Sequence, residues 1–212
     1  ITTNYDRLIE IHAAHANVRV DTMYYGHTIG RLDAHLSREE LLKPETVAGK
    51  ASSIQIRPRP HIRLAKPHGS LDWFSHDGRN YRSELPLPWA QQIIAPGGNK
   101  YRLGYEVPFD AQRTRANEAI ANASALLFIG YGFNDEHLQT HLKRRFPDVP
   151  AVIISKSLTP NALEYLDMNS SAIGIEAAED LASSLIRTDG KETEIDKALW
   201  QIDHLVEEVL HT

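Results

Sequence analysis

Three polar clusters in this chain carry residue types that can do chemistry. The first is Thr2-Thr3-Asn4-Tyr5-Asp6, directly ahead of Arg7-Leu8-Ile9-Glu10. It reads as the end of a buried strand, a polar turn and the first turns of a helix. In open α/β sheets the carboxyl ends of strands form the crevice where nucleotides bind. A helix start adds unpaired N–H groups that favour anions such as phosphate. The second cluster is Lys66-Pro67-His68-Gly69-Ser70-Leu71-Asp72-Trp73. Here proline stiffens the approach, glycine permits close backbone contact, and an imidazole changes charge near neutral pH, which are the needs of a general base. The third, Leu126-Leu127-Phe128-Ile129-Gly130-Tyr131-Gly132-Phe133-Asn134-Asp135, is an apolar strand running into glycines and then a helix, the position of a phosphate-binding turn.

Each cluster also has a purely structural reading, and the residues alone leave both open. Asn4 and Asp6 belong to types that cap helices. A histidine such as His68 is commonly packed or capping. Gly130-Tyr131-Gly132 also suits a tight strand-to-helix turn, with Asp135 as the N-cap of the helix that follows.

The elements that must hold these clusters follow from periodicity. A helix is predicted from Tyr5 to about Ala16, with Leu8, Ile9, Ile11 and His12 on its inner side, and a short strand over Val18 to Tyr24. Ser37 caps a short helix, with Glu40 closing a capping box. Residues 43–59 read as irregular, and a strand over His61–Lys66 leads to His68. Residues 73–110, rich in proline, glycine and aromatics, read as a loop-rich insertion. Beyond it the pattern predicts a helix over Gln112–Ser124, a fully buried strand over Ala125–Ile129, a helix over Asp135–Phe146 and a strand over Ala151–Ser155. Thr159 as cap and Pro160 at the first helical position open the next helix, to about Met168. A short strand at Ala172–Ile175, a helix over Ala178–Arg187 and a C-terminal helix within 192–212 complete the chain, the last carrying Ile195, Leu199, Ile202 and Leu205 on one stripe. Continuous apolar strands alternating with helices imply an α/β fold, a Rossmann-like doubly wound parallel sheet in a single domain spanning 1–212.

Composition narrows the function classes. A chain of 212 residues suffices for one sizeable domain, and a net charge of −5 argues against a dedicated nucleic-acid binder. There is no cysteine, which excludes disulfides and cysteine-held zinc. No apolar run is long enough to span a bilayer and the first residues do not read as a signal peptide, so the expected compartment is the cytoplasm. Since Ile1 already reads as part of a strand, the chain is expected to continue upstream, with a first strand and a glycine-rich turn. His137 and His141 share a helical face at i and i+4, but Leu138 stands where a zinc protease would have glutamate; a solvated face is the simpler account. His12 and His15 are read as surface or packing residues. Arg57, Arg59, Arg63 and Lys66 form a basic run, read as charge protecting an edge strand, with phosphate contact as the alternative.

Taken together, T-T-N-Y-D at Thr2–Asp6, P-H-G-S at Pro67–Ser70 and I-G-Y-G-F-N-D at Ile129–Asp135 resemble the sirtuin-like NAD-hydrolysing domains of prokaryotic anti-phage defence. The resemblance implies a hydrolase that splits the nicotinamide–ribose bond of NAD, with NAD as substrate and no metal. In it Asn4 positions water and the nicotinamide ribose, Asp6 holds the nicotinamide carboxamide, and His68 is the general base. Thr3 belongs to the same cofactor-binding turn. Gly130, Tyr131 and Gly132 line the ribose and phosphates, Ser155 takes a place where sirtuins commonly use asparagine, and Ile175-Glu176-Ala177 lie toward the adenine. Because a hydrolase of a central cofactor would be toxic if always active, the site is expected to be held inactive, or incompletely assembled, until an oligomer or a partner, such as an ATPase or an Argonaute-type sensor, triggers it. The four-cysteine zinc module of sirtuin deacylases is missing, which favours hydrolysis over deacylation. A protein deacylase, or a module that binds NAD or ADP-ribose without turnover, are the alternatives.

Overall fold

Short runs of β-branched and aromatic residues, broken by glycine and aspartate, make this chain richer in strands than its helical periodicity suggests. The computed structural model describes residues 1–47, 53–94 and 107–210. Its fold is mixed α/β with parallel and antiparallel sheets, arranged as two units, residues 1–116 and 117–212.

In the first unit α1 (Leu8–His15) leads to β1 (Arg19–Asp21), β2 (Tyr24–Tyr25), β3 (Ile29–Leu32) and α2 (Ala34–Glu39). Next come β4 (Leu42–Val47), β5 (Ser53–Pro58), β6 (His61–Arg63), β7 (Gly69–His76), β8 (Arg79–Ser83) and β9 (Ala90–Ile93). Strands β2-β3-β8-β7-β9 form an antiparallel sheet in that order, β1 pairs with β6 in parallel, and β4 pairs with β5 as a hairpin. Helix α3 (Phe109–Ala121) begins at the end of this unit. Trp73 and Phe74 of β7 are buried, and Tyr24 packs on Trp73 with ring centres 5.0 Å apart.

In the second unit β10 (Leu126–Ile129), α4 (Glu136–Arg145), β11 (Ala151–Ile154), α5 (Pro160–Asp167) and β12 (Ile173–Ala177) alternate strand and helix. The hairpin β13 (Ser184–Thr188) and β14 (Lys191–Ile195) follows, then α6 (Ile202–Leu205), continued by wider π-helical turns over Val206–Leu210. The sheet order is β10-β11-β12-β13-β14, parallel through β12 and antiparallel beyond it. Ile154, Ile175 and Leu199 are its buried centre, with Val152, Ile186, Ile195 and Leu205 packed around them.

Several sequence expectations are corrected. The loop-rich reading of 73–110 gives way to β7, β8 and β9 within the described residues, while 95–106 lie outside them. The irregular reading of 43–59 gives way to the β4–β5 hairpin, with 48–52 outside the described residues. The helices expected over 178–187 and from 192 are instead β13 and β14, and the expected positions 211–212 lie outside the described residues. The reason is local: Asp189-Gly190 has φ of 49° and 69°, and Asp77-Gly78 between β7 and β8 has 48° and 69°. Two successive left-handed residues make the hairpin turn that matches strand twist. Ser37 lies inside α2 and not at its start; Asp33 is the cap, its Oδ1 accepting from the Leu36 N–H at 3.0 Å. In β10 burial alternates, with Leu127 and Ile129 exposed, so the strand is not fully buried. On α1 the buried residues are Glu10 and Ala13, while Leu8, Ile9 and Ile11 are exposed. An ion pair between Glu10 and Lys66 decides which face of α1 turns inward.

Candidate functional site

In the first unit two backbone hydrogen bonds set the opening turn beside the histidine turn. The Thr2 N–H donates to the Ala65 carbonyl at 3.0 Å, and the Leu71 N–H donates to the Tyr5 carbonyl at 2.9 Å. Asn4 lies between Thr2 and Tyr5, His68 between Ala65 and Leu71, so residues far apart in sequence run side by side. Asn4 is exposed, whereas Thr3, Asp6 and His68 are half-buried. The Asn4 N–H donates to Thr2 Oγ1 at 3.2 Å, which folds the turn back on itself. Asp6 Oδ1 accepts from the Leu8 N–H at 3.0 Å, taking up an open donor at the start of α1.

Lys66 holds this arrangement from beneath. Its side chain is 1 % exposed, and its ammonium sits 2.9 Å from Glu10 Oε1. The same ammonium donates to the Asp6 carbonyl and, at 3.1 Å, to Ser70 Oγ, which in turn donates to the Tyr5 carbonyl at 3.2 Å. A buried ammonium is tolerated only when its donors are met, and here three oxygens meet them. Glu10 is thereby drawn inward, which turns the apolar residues of α1 outward. Tyr5 adds a further tie, its hydroxyl donating to the Ile94 carbonyl at 2.6 Å.

The histidine turn is equally constrained. The Gly69 N–H donates to the Lys66 carbonyl at 3.0 Å, and the His68 carbonyl accepts from the Ile94 N–H at 2.9 Å. Gly69 has φ of 89°, and a Cβ there would lie 2.1 Å from the Gln92 carbonyl oxygen. Only glycine fits. Beside it Asp72 is buried, with Oδ2 accepting from Arg82 Nε at 2.7 Å and lying 3.2 Å from Arg7 Nε.

In the second unit the three parallel strands deliver their carboxyl ends in register, Ile129 against Ile154 and Ile154 against Ile175. The Gly130 N–H donates to the Ile154 carbonyl at 2.8 Å, and the Ser155 N–H to the Ile175 carbonyl at 3.0 Å. Gly130, Ser155 and Glu176 therefore line one sheet edge. A Cβ on Gly130 would meet nothing within 4 Å, so the turn is open on that side. Thr159 Oγ1 donates to the Gly132 carbonyl at 2.8 Å, and Asn161 Nδ2 donates to the Phe133 carbonyl at 3.0 Å and to Asn134 Oδ1 at 2.9 Å. The Tyr131 hydroxyl is buried beside Asp135. Burial first, then the nearby Asp135 charge, pushes it well above the usual phenol range, so it stays a neutral donor. Glu176 is committed to structure: Oε2 accepts from the Leu158 N–H at 2.8 Å and Oε1 from Arg187 Nε at 2.9 Å.

The basic run disperses. Arg57 donates to Gln55 Oε1, Arg63 Nε lies 3.8 Å from Asp21 Oδ2, and Lys66 is interior, which corrects its reading as edge-strand charge. Asp135 caps α4, its Oδ1 accepting from the His137 N–H at 3.2 Å. Among the described residues no group of three His, Cys, Asp or Glu side chains could hold a metal ion, and no helix is long and apolar enough to cross a membrane.

Sequence reasoning missed Glu10, Tyr5, Asn161 and the structural role of Lys66. Only Glu10 left a signal, a carboxylate set between the apolar residues Ile9 and Ile11. A family model described as a SIR2-like domain matches residues 1–151 of the chain. No curated protein matches it.

Proposed function

The chain belongs to the SIR2-like domain family, whose domains use NAD, and from that premise we propose that it is an NAD glycohydrolase, releasing nicotinamide and ADP-ribose. What supports the reading is the juxtaposition of the Asn4 turn with the His68 turn, fixed by the two backbone bonds that flank them. An amide and an imidazole brought onto neighbouring segments suit hydrolysis of a bond whose leaving group needs no acid assistance. Nicotinamide departs as a neutral base, so the demand falls on the cationic sugar and the incoming water.

In this reading the Asn4 amide orients the water and the nicotinamide ribose without adding charge. His68 takes the proton as the water oxygen bonds to the ribose carbon and the C–N electron pair leaves with nicotinamide. One water is consumed and one proton released. Asp6 and Thr3 hold the nicotinamide end, Asp6 through the carboxylate oxygen not used on Leu8. In the second unit the Gly130-Tyr131-Gly132 turn serves the ribose and phosphates. Its fit rests on the open side of Gly130, where the backbone lets a ligand approach closely. Ser155 serves the adenosine ribose from the next strand end, and the run β10-α4-β11-α5-β12 is read as part of a doubly wound sheet.

An unrestrained hydrolase of NAD is toxic to its own cell, so the activity is assigned to a cytoplasmic defence effector that depletes NAD once it assembles with itself or with a triggering partner protein. The test is nicotinamide release by the protein, with and without assembly, beside Asn4→Ala and His68→Ala. Release that both variants abolish supports the assignment. Release unchanged in both, or NAD consumption that requires an acetyl-lysine peptide, overturns it.

A further inference from the structure

Lys66 and Glu10 form an interior ion pair, with side chains 1 % and 7 % exposed. Stability alone is a poor reason for such a pair. Desolvation offsets much of the attraction between two buried charges, and apolar residues of similar volume commonly serve a core as well or better. Here the balance is less favourable still, because Glu10 Oε2 is buried without a hydrogen-bond partner. What an apolar pair could not do is hold several donors at one point. The ammonium reaches the Asp6 carbonyl in the opening turn and Ser70 Oγ just past His68. Ser70 Oγ returns the tie by donating to the Tyr5 carbonyl. Asn4 lies two residues before Asp6, and His68 lies midway between Lys66 and Ser70.

We infer that Lys66 is a positioning residue for the hydrolysis: its ammonium sets the Asn4 turn against the His68 turn, and Glu10 keeps the ammonium in place. The lysine works from a fixed base. Its own N–H donates at 3.0 Å to Oε1 of the buried Gln112, whose Nε2 donates to the Thr22 carbonyl at 3.2 Å. The three protons of the ammonium match the three oxygens around it, so Lys66 acts through Asn4 and His68 and not on a substrate. Two groups that act on one bond tolerate little misplacement, and an error of about 1 Å can cost about 10²-fold in rate. The part in hydrolysis rests on the NAD reading; the hold on the two turns does not.

The experiment compares nicotinamide release, melting temperature and amide exchange at Leu71, whose N–H donates to the Tyr5 carbonyl. The proteins are the parent, Glu10→Gln, and the double variant Lys66→Met with Glu10→Leu. Glu10→Gln leaves the ammonium and its acceptors but removes the counter-charge, so the melting temperature is expected to fall while kcat of the folded protein holds. The double variant removes both charges and the donors. It is expected to melt near the parent, to exchange the Leu71 amide faster, and to lose about 10²-fold in kcat with a smaller change in KM.

A further variant isolates the ammonium. The chain has no cysteine, so Lys66→Cys carries a single thiol. Alkylated in denaturant with 2-bromoethylamine and refolded, it regains an ammonium at lysine's length; 1-bromopropane restores the length alone. Recovery of kcat with the aminoethyl group and not with the propyl group supports the proposal. Equal recovery with both overturns it, as does a double variant with native kcat. Loss of kcat only in step with loss of folded protein assigns the pair to stability and overturns it too. If the parent releases no nicotinamide, the NAD reading fails and the role in hydrolysis with it. Unchanged Leu71 exchange in the double variant would then overturn the hold on the turns as well.

Discussion

Asp21 and Arg115 stand 94 positions apart in sequence, yet Arg115 Nη2 donates to Asp21 Oδ2 at 2.9 Å inside the first unit. Arg115 Nη1 also donates to the Asp21 carbonyl at 2.7 Å and to the Leu64 carbonyl at 3.2 Å, while Asp21 Oδ1 accepts from the Met23 N–H at 3.0 Å and from Ser37 Oγ at 2.9 Å. One pair thus ties β1, α2, α3 and the chain leading into Lys66. Removing the guanidinium in Arg115→Leu leaves an uncompensated buried carboxylate. The expected loss is about 3–5 kcal/mol of stability by denaturant unfolding. A loss well under about 1 kcal/mol would show that the pair is not the tie described.

Acid stability follows from the same carboxylate. Burial alone would raise the Asp21 pKa, but the Arg115 charge and the hydrogen bonds from Met23, Ser37 and Arg115 outweigh it and hold it below the usual carboxylate value. Burial draws Arg115 downward, against the pull of Asp21, and it remains a cation across the range where proteins fold. A depressed folded-state pKa contributes stability above the unfolded value of about 3.9, lost as pH falls through the folded value. Asp21→Asn is therefore expected to lower stability at neutral pH and to flatten the further loss that the parent protein shows below about pH 4. Parallel acid-unfolding curves for the two proteins would contradict this.

Gly69 tests the histidine turn without touching a functional group. A methyl at this position meets the Gln92 carbonyl oxygen and a left-handed backbone, so Gly69→Ala is expected to cost more than about 1 kcal/mol. Because Gly69 pairs with Ile93 and follows His68 directly, nicotinamide release should fall with it. An alanine variant with native melting temperature would refute the close packing.

For the reaction itself, His68→Ala is expected to lower kcat by about 10²–10⁴ and to leave KM nearly unchanged, the mark of a lost general base. Asn4→Ala is expected to lower kcat at least as far. Single-turnover nicotinamide release measures both, and a pure KM effect in either would reassign that residue to binding.

In the second unit Thr159 caps α5, its Oγ1 accepting from the Ala162 N–H at 3.2 Å. It also donates to the Gly132 carbonyl, so one hydroxyl serves both the helix and the glycine turn. Thr159→Ala is expected to cost about 1 kcal/mol, and Thr159→Ser to restore most of it. Equal stability of all three proteins in thermal denaturation would show that the cap contributes nothing.

The contrast between Thr159 and Glu10 explains what the sequence makes legible. The cap at Thr159 with Pro160 is local chemistry, and it can be read directly, as can β10, α4, β11, α5 and β12. Glu10 is buried because of Lys66, a partner on a distant segment that no local pattern announces. The same holds for Asp21 and Arg115. The stripe of Ile195, Leu199 and Leu205 misleads for a different reason: those side chains do pack together, but from a strand, a turn and a short helix in succession, which helical spacing imitates. In the candidate site the Asn4 and His68 motifs can be read from their immediate neighbours, Thr2 and Thr3 before the asparagine and Pro67 and Gly69 on either side of the histidine. The lysine beneath them looks like ordinary surface charge.

That lysine also limits how the opening pentapeptide can be treated as a module. Its grip on Asp6, Ser70 and Glu10 means that transplanting the asparagine turn onto another scaffold, without the cation and its acidic counterpart, would carry the letters across and leave the shape behind.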